Sequence, residues 1–309
     1  MKIKDLVCVF LLAFFISLGC GGGSSADPVD ARTFVEKLPE SVRSSILWFC
    51  DYEDRSLAKW QGKGPDDENA GGGIFITDEA NTSCATVEDG LTHSGRVACA
   101  ATIRNATTPG EPKAVRLMRW TNKPWYDDGD LFPQEAYYST FLLFRYAYDP
   151  AKDPDNDPNK DGGWWNLLQF KSKNNAGSHP LVKLDLYNKN NKMHFGLVVK
   201  DYKDDNSSSY TQSYCVQSKP LAIPVNQWTH IEVYYKKSKS YDGKVIVWQN
   251  GVKIFEKDGI RTVLPPDETA VFGIGNYTDY ITGGPAPGEA TVYFDDAIVS
   301  SQRISAHLK

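Results

Sequence analysis

Apolar and polar positions alternate along most of this chain in short runs. Strand-like stretches recur as ILWFCDY, RVACAATI, AVRLMRW, YYSTFLLFRYAY, WWNLLQFK, LVKLDLY, KMHFGLVV, WTHIEVYYK, KVIVWQNG, VFGIGNY and ATVYFDDAIVS. Each is rich in β-branched and aromatic residues, and Gly, Pro, Asn and Asp fill the gaps between them. Helical periodicity is scarce, and a short helix is expected only over residues 32 to 45, with Asp30 as its cap. Two tight turns, at Asp242-Gly243 and Asn250-Gly251, join three of the strands into a meander. Eleven such segments with so little helix predict an all-β chain, an antiparallel sandwich of jelly-roll type.

The N-terminus follows a different logic. Lys2 and Lys4 precede an apolar run from Leu6 to Leu18, which reads as an export signal over residues 1–19. Small residues lead into Cys20, and GGGSS follows it, so the segment resembles that of a bacterial lipoprotein. Cleavage would leave Cys20 lipidated, residues 20–44 as tether and short N-terminal segment, and 45–309 as a single β-domain. The expected location is the bacterial cell envelope, lipid-anchored or secreted, with the lipid as the only membrane contact. The chain has 34 basic and 39 acidic residues; losing Lys2, Lys4 and Asp5 leaves 32 and 38, a net charge of −6. Such a balance gives no basic sheath for nucleic acid. Beyond the leader, Cys50, Cys84, Cys99 and Cys215 allow two disulfides in an oxidising compartment, and Cys84–Cys99 with Cys50–Cys215 is the favoured pairing.

Candidate chemistry gathers on a few strands. In "DGGWWNLLQFKSKNN" the alternation sends Gln169 and Lys171 to one face, with Leu168 and Phe170 on the other, directly after Trp164 and Trp165. Trp165 or Leu167 joins the polar face, depending on any local bulge. Flat aromatic surface beside amide and cationic groups suits a sugar polymer, and Trp125 is a further platform. Arg116 and Arg119 in "AVRLMRW" differ by three, so only one of them can share the face of Gln169.

The W…DG…V-W-x-N-G meander, with "YYSTFLLF", "WWNLLQFKS", "MHFGLVV", "GIGNYTD" and the closing "VYFDDAIVS", resembles the concanavalin A-like lectin/glucanase jelly roll. Within it the chain looks most like polysaccharide lyases of the heparinase I and glucuronan lyase type, over about residues 45 to 305. That resemblance implies β-elimination on a uronate-containing polysaccharide. Gln169 with Arg116 or Arg119 would neutralise the uronate, Tyr277 would transfer the proton, and His93 or His194 would be its partner. A free tyrosine titrates near ~10, so Tyr277 needs cations nearby to serve as a base. The chain departs from the alginate-lyase pattern: Lys171 stands where that pattern has His, and Gly273 where it has Lys. Alginate is therefore a poor first guess.

Hydrolysis is the weaker enzymatic reading, because Glu232 has no acidic partner in sequence on its own face. A non-catalytic carbohydrate-binding or adhesion lipoprotein on the same fold stays open. What separates the two is whether Gln169, an Arg, a His and Tyr277 converge on one concave face. Asp153, Asp155, Asp157 and Asp161, at odd spacings in "DPAKDPDNDPNKDGG", suit a structural Ca²⁺ or form an acidic insertion. No organic cofactor is expected.

Overall fold

The computed structural model describes residues 32–60, 72–77, 83–120, 133–150, 164–203, 206–265 and 270–308. Trp125, Asp153, Asp155, Asp157, Asp161 and Cys20 lie outside these described residues. Among the described residues seventeen strands run in chain order: β1 (Ile46–Cys50), β2 (Gly72–Ile76), β3 (Cys84–Asp89), β4 (Val97–Ile103), β5 (Lys113–Trp120), β6 (Glu135–Phe144), β7 (Tyr148–Pro150), β8 (Trp165–Asn174), β9 (Gly177–Lys189), β10 (Lys192–Tyr202), β11 (Tyr210–Cys215), β12 (Thr229–Lys236), β13 (Gly243–Gln249), β14 (Val252–Ile260), β15 (Val271–Thr278), β16 (Ile281–Gly283) and β17 (Ala290–Ser300).

Two antiparallel sheets take up almost all of them. The back sheet has the order β14-β13-β12-β6-β17-β4-β3, with β1 also on β17; the front sheet has the order β11-β10-β9-β8-β15-β5-β2. The jelly-roll expectation is met, because every apolar run finds an opposing sheet to bury against. Between the sheets Phe170 of β8 stacks on Tyr235 of β12 at 3.9 Å, with Tyr138 of β6 edge-on to Phe170 at 5.0 Å. The Asn250-Gly251 turn has both residues at positive φ, 48° and 77°, which is what a two-residue hairpin requires.

A buried amide ties the sheets together. Asn276 of β15 sits in the core; its Nδ2 donates to the carbonyls of Ala101 and Ala290 across the sandwich, each at 2.9 Å. Its Oδ1 accepts from Trp165 Nε1 at 3.0 Å. One side chain thus satisfies an indole donor and fixes β15 against β4 and β17, immediately beside Tyr277.

The outer face of the back sheet carries a second apolar layer. Two one-turn helices, α1 (Phe34–Lys37) and α2 (Glu40–Arg43), pack Phe34, Leu38 and Val42 against Phe141, Ile298 and Ile304. The expected helix is therefore split, and Pro39 begins its second turn. The cap is Thr33 rather than Asp30: its hydroxyl accepts from Glu36 N–H while the Glu36 carboxylate accepts from Thr33 N–H at 2.7 Å.

The disulfide expectation is corrected, since all four cysteines of the domain are free thiols. In the β3–β4 ladder Cys84 faces Thr102 and Cys99 faces Val87, three positions out of register. Cys50 and Cys215 lie in different sheets.

Candidate active site

The front sheet presents its polar side chains on the face away from the core. A cleft of about 470 Å³ opens there, lined by Trp164, Asn166 and Gln169 of the β8 segment, Lys183, Asp185 and Tyr187 of β9, and Tyr277. Lys200 of β10, Tyr214 of β11 and Asp279 complete its walls. Absent side chains shape this floor. A Cβ on Gly273 would come within 2.3 Å of Met118 Sδ, and one on Gly196 within 2.5 Å of Tyr214 Oη.

A bulge sorts the opening tryptophans. The β8–β9 register shifts between Asn166 and Leu168, which sends Asn166 to the cleft and Trp165, Leu167 and Leu168 to the core. Trp165 is fully buried and hydrogen-bonded to Asn276, so its expected role as a sugar platform is corrected. Trp164 remains in the cleft wall, edge-on to the Tyr277 ring at 4.5 Å.

Gln169, Lys171 and Tyr277 share this face, and of the two arginines it is Arg116 that joins them. Gln169 lies opposite Gly273, and among the described residues its amide Nε2 meets the weak acceptor Met118 Sδ at 3.7 Å. The Arg116 guanidinium packs 4.8 Å over the Tyr277 ring and 5.8 Å over Phe75 of the edge strand, with its buried Nε unpartnered. Neither Arg116 nor Lys171 has a carboxylate partner among the described residues. Burial, then the neighbouring Arg116 charge, pushes the Lys171 ammonium down to about 8, and burial also lowers Arg116. Among the described residues, no anion is paired with either cation.

Three expected residues stand elsewhere. Arg119 points to the end of the core, where its Nη1 donates to the Lys59 carbonyl at 3.0 Å and its guanidinium covers Trp48. His194 is buried beside the cleft; its Nδ1 donates to the Leu221 carbonyl at 3.1 Å, and its ring stacks on Tyr187 at 5.4 Å. It buttresses a cleft tyrosine and does not reach Tyr277.

His93 is on the outer face of the back sheet, stacked on Phe141 at 3.4 Å, with Nδ1 2.7 Å from Asp296 Oδ2. The β17–β6 register shifts at Asp295, and Asp296 takes a φ of 47°. Asp295 Oδ2 accepts the backbone N–H groups of His93 and Ser94 at 2.9 and 3.3 Å, so His93 belongs to a buried polar layer under α1. Glu232 lies there too, accepting from the Ile304 N–H at 2.6 Å.

Sequence reasoning missed the β9 side of the cleft. Lys183 Nζ meets Asp185 Oδ2 at 2.7 Å, and Asn166 Nδ2 donates to Asp185 Oδ1 at 3.0 Å. The signal was the alternation in LVKLDLY, which sends Lys183, Asp185 and Tyr187 to one face. Among the described residues no cluster of His, Cys, Asp and Glu has the makings of a metal site.

The sequence pattern described as "Polysaccharide lyase" matches residues 76–297, most of the chain. The chain belongs to the polysaccharide lyase family. A search of the curated proteins by sequence gives no match. Among solved structures, the endo-β-1,4-glucuronan lyase of the fungus Trichoderma reesei is similar with a TM-score of 0.56 at 14% identity, over 83% of this chain and 96% of that one. The PL-14 alginate lyase of Aplysia kurodai is similar with a TM-score of 0.50 at 12% identity, over 83% and 99%. At these identities the likeness is one of fold. This lyase thus carries its family's sandwich with a polar cleft on the front sheet.

Proposed function

We propose that this lyase cleaves a uronate-containing polysaccharide by β-elimination on the front sheet, as a relative of the glucuronan lyase and heparinase I type. The observation that carries the reading is the pair Arg116 and Lys171, two cations without carboxylate partners among the described residues, on the same face as Gln169 and Tyr277. Elimination begins at the weakly acidic C5–H of a uronate, and neutralising the adjacent carboxylate makes that proton removable. Arg116 and Lys171 supply the charge and the Gln169 amide a hydrogen bond. The Tyr277 oxygen takes the C5 proton, the C4–O bond breaks as the C4–C5 double bond forms, and the same tyrosine hydroxyl returns that proton to the leaving oxygen. The Arg116 charge lies against the ring that carries negative charge during this transfer. No histidine is needed for this assignment. Trp164, against Tyr277, offers the apolar face on which a sugar stacks.

In this reading the leader, Cys20 and the glycine-serine tether place the enzyme at the bacterial envelope as a lipoprotein, and the Asp153–Asp161 stretch is the site to test for calcium. The activity is tested by absorbance of unsaturated uronate while the protein acts on glucuronan, heparin-like, alginate and pectin polymers. A rise that Tyr277→Phe abolishes supports elimination. A flat trace on every polymer, with binding retained, returns the protein to the carbohydrate-binding alternative.

A further inference from the structure

The cleft does not end at Tyr277. It crosses β9 to the far edge of the front sheet, where Lys200 of β10 and Tyr210 and Gln212 of β11 line it. Lys200 pairs across the ladder with Gln212, and Tyr202 with Tyr210, so alternation puts all four on the cleft face. Tyr210 is 43% exposed, and the Lys200 ammonium lies 3.8 Å over its ring. Among the described residues no carboxylate is paired with Lys200. Lys183, the next cation along the cleft, is matched by Asp185, and Asp201 is turned to the other face, where its Oδ2 accepts from the Tyr241 hydroxyl at 3.0 Å. The opposite edge of the sheet repeats the combination: Phe75 of β2, 40% exposed, pairs across the ladder with Arg116, whose guanidinium stands 5.8 Å over its ring.

The cations of this face are spaced like the charges of a sugar chain. Lys171 pairs with Pro180 of β9, and Val182 of β9 with Val199 of β10, so Lys200 lies two strands from Lys171, about 10 Å away. Between them stands His179, which burial and then the two lysine charges hold below its ordinary range. Sugars of an extended 1,4-linked chain turn over at each link, so carboxylates presented to one face recur at every second sugar, a repeat of the same order. Binding such a sugar takes a cation for its carboxylate and apolar surface for its C–H face, and Lys200 on Tyr210 offers both, since an ammonium over a ring keeps N–H donors for an anion. We infer that Lys200 and Tyr210 form a second uronate subsite, about two sugars from the uronate that Arg116 and Lys171 neutralise, and that the enzyme prefers a chain charged along its length to one whose uronates stand singly. The inference rests on the uronate-lyase reading above and deepens it.

Glucuronan hexasaccharides are compared with the same hexasaccharides after carboxyl reduction has turned all but one uronate into glucose, the singly charged fraction being isolated by anion exchange. Length and linkage are unchanged, so the second carboxylate is the variable. The full-length protein and Lys200→Gln are assayed on both by the absorbance of unsaturated product. The expected result is that Lys200→Gln lowers kcat/KM on the native hexasaccharide about tenfold, equivalent to about 1.4 kcal/mol, and on the singly charged one by less than about threefold. An equal loss on both substrates, as a merely structural role would give, or no loss on the native one, overturns the inference and leaves the lyase reading standing. Where the singly charged substrate is not cut, calorimetric affinities for the two hexasaccharides replace the rates and are read in the same way. If neither substrate is cut, the lyase reading fails, and the affinities alone decide the subsite: a preference for the fully charged hexasaccharide that Lys200→Gln removes supports it, and a preference absent or unchanged overturns it.

Discussion

Replacing Asn276 by leucine tests how the sheets are held beside the site. The two side chains are of similar size, so the change creates little cavity, but it strands the Trp165 indole N–H and the carbonyls of Ala101 and Ala290 inside a core where all these residues are fully buried. Each stranded group costs about 1–3 kcal/mol, with carbonyls at the low end because their second lone pair is still available for ladder bonding. The added apolar surface returns about 1–2 kcal/mol. The net expectation is a loss of about 3–4 kcal/mol, equivalent to a fall in Tm of roughly 10 °C for a domain of this size. Urea unfolding followed by tryptophan fluorescence reads it as a lower midpoint with an unchanged slope. A loss below about 1 kcal/mol would refute the reasoning, since the three hydrogen bonds would then carry no net stability.

Further outcomes follow from the same geometry. Arg116→Gln lowers kcat/KM on uronate polymers by about 10²-fold, as expected for removing a charge-assisted contact that strengthens as the carboxylate gains charge; steady-state absorbance assays measure it. Lys171 holds its charge only below about 8, so kcat/KM falls as pH rises through that value, and Lys171→Arg carries the alkaline limb upward. Burial, and for Asp295 the adjacent Asp296 charge, hold both carboxyls well above the usual carboxylate range. The folded state therefore binds protons that the unfolded chain has released, and stability declines as pH rises. His93 and His230, kept neutral by burial, act in the opposite sense below about 6.5, so the decline is read above that pH by urea titration, and Asp295→Asn flattens it.

Strands β6, β8, β10, β12 and β17 were legible because their runs are long and rich in aromatic and β-branched residues, and most of their residues are buried. The strands that were missed are edge or short ones. β2, β3 and β11 lie at sheet edges with mixed burial, and β7 and β16 pair only with each other. At the site, alternation put Gln169 and Lys171 on one face, whereas Tyr277 came from the family resemblance and alternation left the choice between Arg116 and Arg119 open. Trp165 was misassigned because a one-residue bulge reverses every side chain before it. His93 could not be placed from sequence, since its position depends on Asp295 and Asp296, two hundred residues away in the chain. The β9 contribution was visible in LVKLDLY, but nothing in that run states that its polar face meets Tyr277.

The most direct test of the central claim is the mass of the oligosaccharides released from a uronate polymer. Elimination leaves a new non-reducing end that is lighter by one water than the corresponding hydrolytic product and carries a C4–C5 double bond. The account predicts that every new end has this mass and that Tyr277→Phe releases none. Products of full hydrolytic mass would contradict it, as would unsaturated products formed undiminished by Tyr277→Phe.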